Sequence, residues 1–118
     1  MTLITSAQRQ TLIDNGRAQR ASIDRQAQAL DFKPVVRLFT PDANATWLLT
    51  ELTEDDGLAF GLIDLGVGEP ELGYVSLKEL AVARGPSGLP VERDLQFAPT
   101  RTIAAYFELA REHRRIVT

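Results

Sequence analysis

The 118 residues suffice for one domain, which at this size buries roughly two thirds of the surface its unfolded chain exposes. The absence of cysteine excludes disulfides, thiolate zinc centres and cysteine nucleophiles, and fits a reducing cytosol. A formal net charge of −3 sets neither a strongly basic nor a strongly acidic total, so the informative quantity is where the charges fall along the chain.

MTLITS has no basic leader region and no sustained apolar run, and no later stretch approaches the length of a membrane span, so the expected setting is cytoplasmic with no membrane partner. Within SAQRQTLIDNG, Ser6 is a candidate N-cap, Leu12 and Ile13 supply apolar contacts, and Asn15-Gly16 reads as a helix stop. RAQRASIDRQAQAL resumes helical composition with only Ile23 and Leu30 as large apolar residues. Its packing face is thin, and the segment reads as a loosely held arm.

From Lys33 the apolar period changes from helical to two. VVRLF, TWLLTEL and LAFGLIDL read as three strands, the first carrying large apolar residues on both faces. The loop PDANA and the turn around Asp56-Gly57 are short enough for antiparallel returns. Ser76-Leu77-Lys78-Glu79 matches a capping box and opens a short helix that ends at Arg84-Gly85-Pro86. VERDLQF alternates as a further strand. After Pro99, TIAAYFELAREHRR places Ile103, Tyr106, Phe107 and Ala110 on one helical stripe that should lie on the sheet.

These elements predict an α+β fold: a small, mostly antiparallel sheet of four to five strands, with an N-terminal helix, a short middle helix and a C-terminal helix packed on it. A doubly wound parallel sheet would need a helix between neighbouring strands, and none fits between Val35 and Leu65. The expected organisation is a single domain over 1–118, with a helical N-terminal arm (1–31), a sheet core with a short helix (32–97) and a C-terminal helix (98–118).

GLIDLGVGEPELGYVSLKEL, residues Gly61 to Leu80, resembles a nucleotide-binding turn on first inspection. A dinucleotide fingerprint starting at Gly66 keeps its second glycine at Gly68 but has Glu71 in the third position, with Pro70 and extended chain where a helix should begin. Read as a P-loop from Gly68, the motif keeps Gly73 but has Tyr74 and Val75 in place of the lysine and the hydroxyl residue. The glycines therefore read as places of unusual backbone angle at a strand end. Asp64, Glu69 and Glu71 could offer oxygen ligands to a hard cation, but their spacing matches no calcium loop. No metal or other cofactor is expected.

Alternation puts Asp64 on the face of Phe60 and Leu62, so an inward charge would need a partner. Arg93, sharing a face with Val91, Leu95 and Phe97, is the first choice for a structural ion pair, and Arg84 the second. The lone His113 lies at a helix end among arginines, and no nucleophile is placed by a motif, so no catalytic residue is assigned.

From Asp42 to Glu79 nine acids face Lys78 alone, whereas both ends of the chain are arginine-rich. Ordinary solvated surface explains such a run. Its functional alternative is contact with a basic protein partner, for which Asp42, Trp47, Glu69, Glu71 and Tyr74 are the candidates. Arg9, Arg17, Arg20 and Arg25 with Arg111, Arg114 and Arg115 define a second alternative, nucleic-acid association. A carboxylate- or divalent-metal-dependent enzyme is the third.

The runs PVVRLFTPDANATWLLTEL, AFGLIDLGVGEPELGYVSLKEL and RGPSGLPVERDLQF resemble a family of small bacterial proteins known as domain of unknown function 2958. The likeness spans about Phe32 to Phe97 and includes Phe39, Thr40, Pro41, Thr46, Trp47, Asp64, Pro70 to Gly73, Leu89, Pro90 and Glu92 to Asp94. Gln96 departs from the pattern, which has a histidine there. The resemblance implies a bacterial origin, often on plasmids or integrative elements, and no established activity. The resulting expectation is a non-enzymatic accessory protein of a mobile element that binds a protein partner through its acidic middle.

Overall fold

The computed structural model describes residues 2–55 and 57–118, so Asp56 of the predicted turn lies outside the described residues. Eight elements follow one another: α1 (Ser6–Asp24), β1 (Val36–Phe39), β2 (Thr46–Leu52), β3 (Leu58–Asp64), β4 (Glu71–Ser76), α2 (Leu77–Val82), β5 (Glu92–Arg93) and α3 (Ile103–His113). The sheet is antiparallel with spatial order β4-β3-β2-β1-β5. The expected α+β class is what forms.

The register assigns every side chain to a face. Leu38 pairs with Trp47 and Leu49 with Gly61, so these residues share one face, which Ile4 and Leu12 cover from the α1 side along with Leu77 and Leu80 of α2. Leu48 pairs with Leu62 on the opposite face, under Ile103, Tyr106 and Ala110 of α3. The helices thus occupy both faces of the sheet. Each fully buried leucine contributes about 1.5–3 kcal/mol of apolar burial, so Leu12 is the main apolar anchor of α1.

Asn15-Gly16 does not stop α1. Its N-cap is Thr5, not Ser6, in a reciprocal capping box with Gln8. The helix runs through Gly16 because that position faces the β2 backbone, where an added Cβ would lie 2.8 Å from the Leu52 carbonyl oxygen. Asn15 donates its amide to the Thr50 carbonyl, at the point where the β2–β3 register shifts between Leu49 and Glu51. A bulge leaves a carbonyl without its ladder partner, and Asn15 supplies the donor. The two residues that read as a terminator are a docking device.

Past Asp24 the chain is not helical. Ile23 and Leu30, expected to pack the arm, are exposed, and Ser22 is buried in their place. Residues 27–35 are fixed by polar contacts: Gln19 exchanges hydrogen bonds with both backbone groups of Leu30, and Ser22 donates to the Gln28 carbonyl. This strap also closes the N-terminus of α3. Ile103 N–H donates to the Phe32 carbonyl, Ala104 N–H to Asp31, and Ala105 N–H to the Thr102 side chain. The first-turn amides, which a helix cannot satisfy internally, all have acceptors.

The strand in VERDLQF shortens to Glu92–Arg93. Asp94 ends it by accepting from Gln96 N–H and pairing with Arg37 at 3.2 Å, which leaves Leu95 exposed and off the predicted face. The Ser76 cap of α2 forms as expected, with its side chain accepting from Glu79 N–H, and α2 ends at Val82. Among the described residues no helix is long and apolar enough to cross a membrane.

Candidate functional site

Two of the five candidate contact residues are absorbed by the architecture. Trp47 is buried in the core between sheet and α1. Asp42 accepts hydrogen bonds from the Ser87 and Leu89 amides, tying the β1–β2 loop to the loop before β5. The other three, Glu69, Glu71 and Tyr74, are exposed and lie together on β4 or just before it.

β4 is the end strand of the sheet. Gly57 stands opposite Leu77 in the continued register, and Leu77 N–H donates to the Gly57 carbonyl. Because hydrogen-bonded and non-bonded pairs alternate in an antiparallel ladder, the Val75, Gly73 and Glu71 backbones bond to β3 while those of Leu72 and Tyr74 point outward. The side chains of Leu72 and Tyr74 are 37% and 63% exposed on the α3 face, beyond the reach of α3, whose buried residues cover Leu48 and Leu62. The Tyr74 ring packs edge-on against Phe60 with centroids 5.1 Å apart. From there a groove of about 840 Å³ continues past Glu51 to Arg20 and Ile23 of α1. Half-burial raises the Glu51 carboxyl above its ordinary pKa, while the hydrogen bond it accepts from Gln19 acts the other way. On the rim, Arg17 pairs with Glu54, which holds the Glu54 carboxyl below its usual range.

Asp64 does not pair with Arg93. Asp64 lies on the face of Leu62, whereas Arg93 stands opposite Leu38 on the other face, with β1 and β2 between their strands. The Asp64 carboxylate, only 4% exposed, accepts instead from the backbone amides of Gly66 at 2.8 Å and Ile116 at 2.9 Å. Arg93 donates to the Leu3 carbonyl. A carboxylate is satisfied as well by aimed N–H dipoles as by a cation, and sequence patterning is blind to such backbone donors. Gly66 and Gly68 both have positive φ, the unusual angles expected at this strand end. Among the described residues the helix end beside them is the C-terminal end of α3, not an N-terminus.

Beside Asp64 lies a second groove of about 540 Å³, bordered by Arg37, Phe39, Gly66, Arg114 and Arg115. Arg114 and Arg115 belong to the arginine-rich end already singled out in the sequence, whereas Arg37, which interrupts an otherwise apolar strand, escapes that reading. Among the described residues, no group of three His, Asp or Glu side chains is arranged to hold a metal ion.

Sheet, helices and open edge define a small α+β protein. The chain belongs to the family described as Protein of unknown function (DUF2958), whose model matches residues 3–117, nearly the whole chain. No curated protein and no solved structure matches it.

Proposed function

We propose that the chain is a non-enzymatic accessory protein that binds a protein partner by accepting an extended partner segment along β4. The observation that carries this reading is the coincidence, on one edge strand and the turn before it, of outward backbone groups at Leu72 and Tyr74, exposed apolar side chains, and the exposed carboxylates of Glu69 and Glu71. Edge strands expose a ready template for pairing, and partner strands use main-chain bonds for affinity and side chains for selectivity. The acids favour a segment carrying lysine or arginine. The bacterial mobile-element setting implied by the resemblance belongs to the same proposal: the partner would be a protein of the element or of its host.

The test is capture from a bacterial lysate with nuclease present, followed by hydrogen exchange on the complex formed. Binding through β4 slows exchange at the Leu72 and Tyr74 amides and is lost in the Glu69→Lys/Glu71→Lys variant. It is also lost in Tyr74→Pro, which removes an outward N–H without touching the β3 ladder. Unchanged exchange at Leu72 and Tyr74 in a complex would refute the edge-pairing mode.

A further inference from the structure

The groove beside Asp64 carries an inference independent of the β4 edge. We infer that Arg37, Arg114 and Arg115 form a binding site for the phosphate group of a small phosphorylated molecule.

The sheet supplies the first cation. Arg37 stands opposite Leu48 and shares its face with Phe39. Its guanidinium sits 5.1 Å from the centre of the Phe39 ring and 3.2 Å from Asp94, so it is held in place from two sides. Its Nε is buried and has no hydrogen-bond partner. A buried donor on a charged group is costly to leave unmet, so this guanidinium is one acceptor short at the border of the groove.

The chain end supplies the other two. Asp64 binds the Ile116 amide, which places Arg114 and Arg115 along the same groove. Neither has a carboxylate within ion-pair distance among the described residues. Asp64 directs its two oxygens to the backbone amides of Gly66 and Ile116, so it takes none of the groove's arginines as an ion-pair partner. Arg114 also adopts a left-handed conformation, φ 58°, at the end of α3, where glycine is the favoured residue. A non-glycine residue held in that region at a groove is the kind of local strain that accompanies function. Helix-end dipole compensation explains basic residues after α3 in general but not a bulky one at this angle.

Guanidinium forks match tetrahedral oxyanions, and a volume of this size admits a small molecule. Recognition here differs from a P-loop: the glycine turn forms a wall, and side-chain cations provide the grip.

The experiment is a titration of the intact protein with pyrophosphate, followed by amide and arginine Nε resonances, alongside the Arg114→Gly variant. Saturable shifts are expected at Gly66, Gly68, Arg37 and residues 114–116. Arg114→Gly should raise the melting temperature by relieving the left-handed arginine, yet weaken pyrophosphate binding on the order of tenfold. A variant that is both stabilised and unchanged in binding would overturn the site, as would shifts distributed equally over Arg9, Arg25 and the other exposed arginines. A single-stranded oligonucleotide that occupies the groove while pyrophosphate does not would also overturn it, in favour of a nucleic-acid backbone.

Discussion

Asp64 holds the end of the chain to the middle of the sheet: its Oδ2 accepts the Ile116 amide at 2.9 Å, across 52 residues of sequence. The other oxygen closes the turn onto Gly66, so one buried carboxylate organises both the β3–β4 loop and the segment after α3. Asp64→Ala leaves two inward amides without acceptors and should cost about 2–3 kcal/mol. For a chain of this length that lowers Tm by roughly 8–12 °C. Asp64→Asn, which keeps one acceptor, should fall between. Thermal unfolding measures the loss, and faster hydrogen exchange at Ile116 identifies its origin; an unaltered Ile116 amide would show that the anchor is unimportant.

Gly61 and Gly73 face each other across β3 and β4, but only one of them is confined. A Cβ on Gly61 would overlap the Leu48 carbonyl oxygen, a backbone atom that cannot move without breaking the β2–β3 ladder, whereas at Gly73 the nearest atom is the Ile63 Cδ1 at 3.8 Å. Gly61→Ala should therefore destabilise by about 3 kcal/mol or more, while Gly73→Ala stays within about 1 kcal/mol of the parent. Urea denaturation of the pair decides it, each serving as control for the other.

The strands were legible because burial on a sheet imposes a period of two: TWLLTEL is β2 and all but the last residue of LAFGLIDL is β3. The stripe of α3 was legible for the corresponding helical reason, with Ile103, Tyr106 and Ala110 buried. What escaped was everything set by backbone polar groups. Asn15-Gly16 looks like a terminator until the Thr50 carbonyl is in view, and Asp64 looks like half of an ion pair until the Gly66 and Ile116 amides arrive. Tyr74, Glu69 and Glu71 could be singled out in the sequence but not gathered along one edge, because strand order is a property of the sheet.

Glu51 gives the fold a distinct pH signature. Its folded pKa is raised chiefly by burial, so between the unfolded and folded values the native state holds more protons than the unfolded one. Its contribution is therefore favourable at acid pH and is lost as pH rises through that window. The exposed Glu54, lowered by Arg17, works in the opposite sense: its stabilisation is present above its unfolded value and fades as pH falls through the folded one. Glu51→Gln keeps a hydrogen-bonding side chain beside Gln19 and removes the charge. It should raise Tm slightly at pH 7 and leave it unchanged below the ordinary carboxylate range. An equal gain at both pH values would trace the effect to packing instead.

Asp31 tests whether the strap from α1 to α3 matters for stability. It is exposed and makes no ion pair among the described residues, yet it accepts the Ala104 amide in the first turn of α3, where a negative charge also suits the helix dipole. Its place in sequence, 73 residues from that amide, makes it a cap that no local pattern reveals. Asp31→Ala should cost about 1 kcal/mol, in the range of other lost caps, and Asp31→Asn about half as much because the acceptor survives and the charge does not. Added salt should narrow the difference between the asparagine variant and the parent while leaving the alanine variant lowest. If Asp31→Ala melts with the parent, the Asp31 carboxylate contributes no cap, and α3 is held by its Phe32 and Thr102 acceptors and by the packing of Ile103, Tyr106 and Ala110.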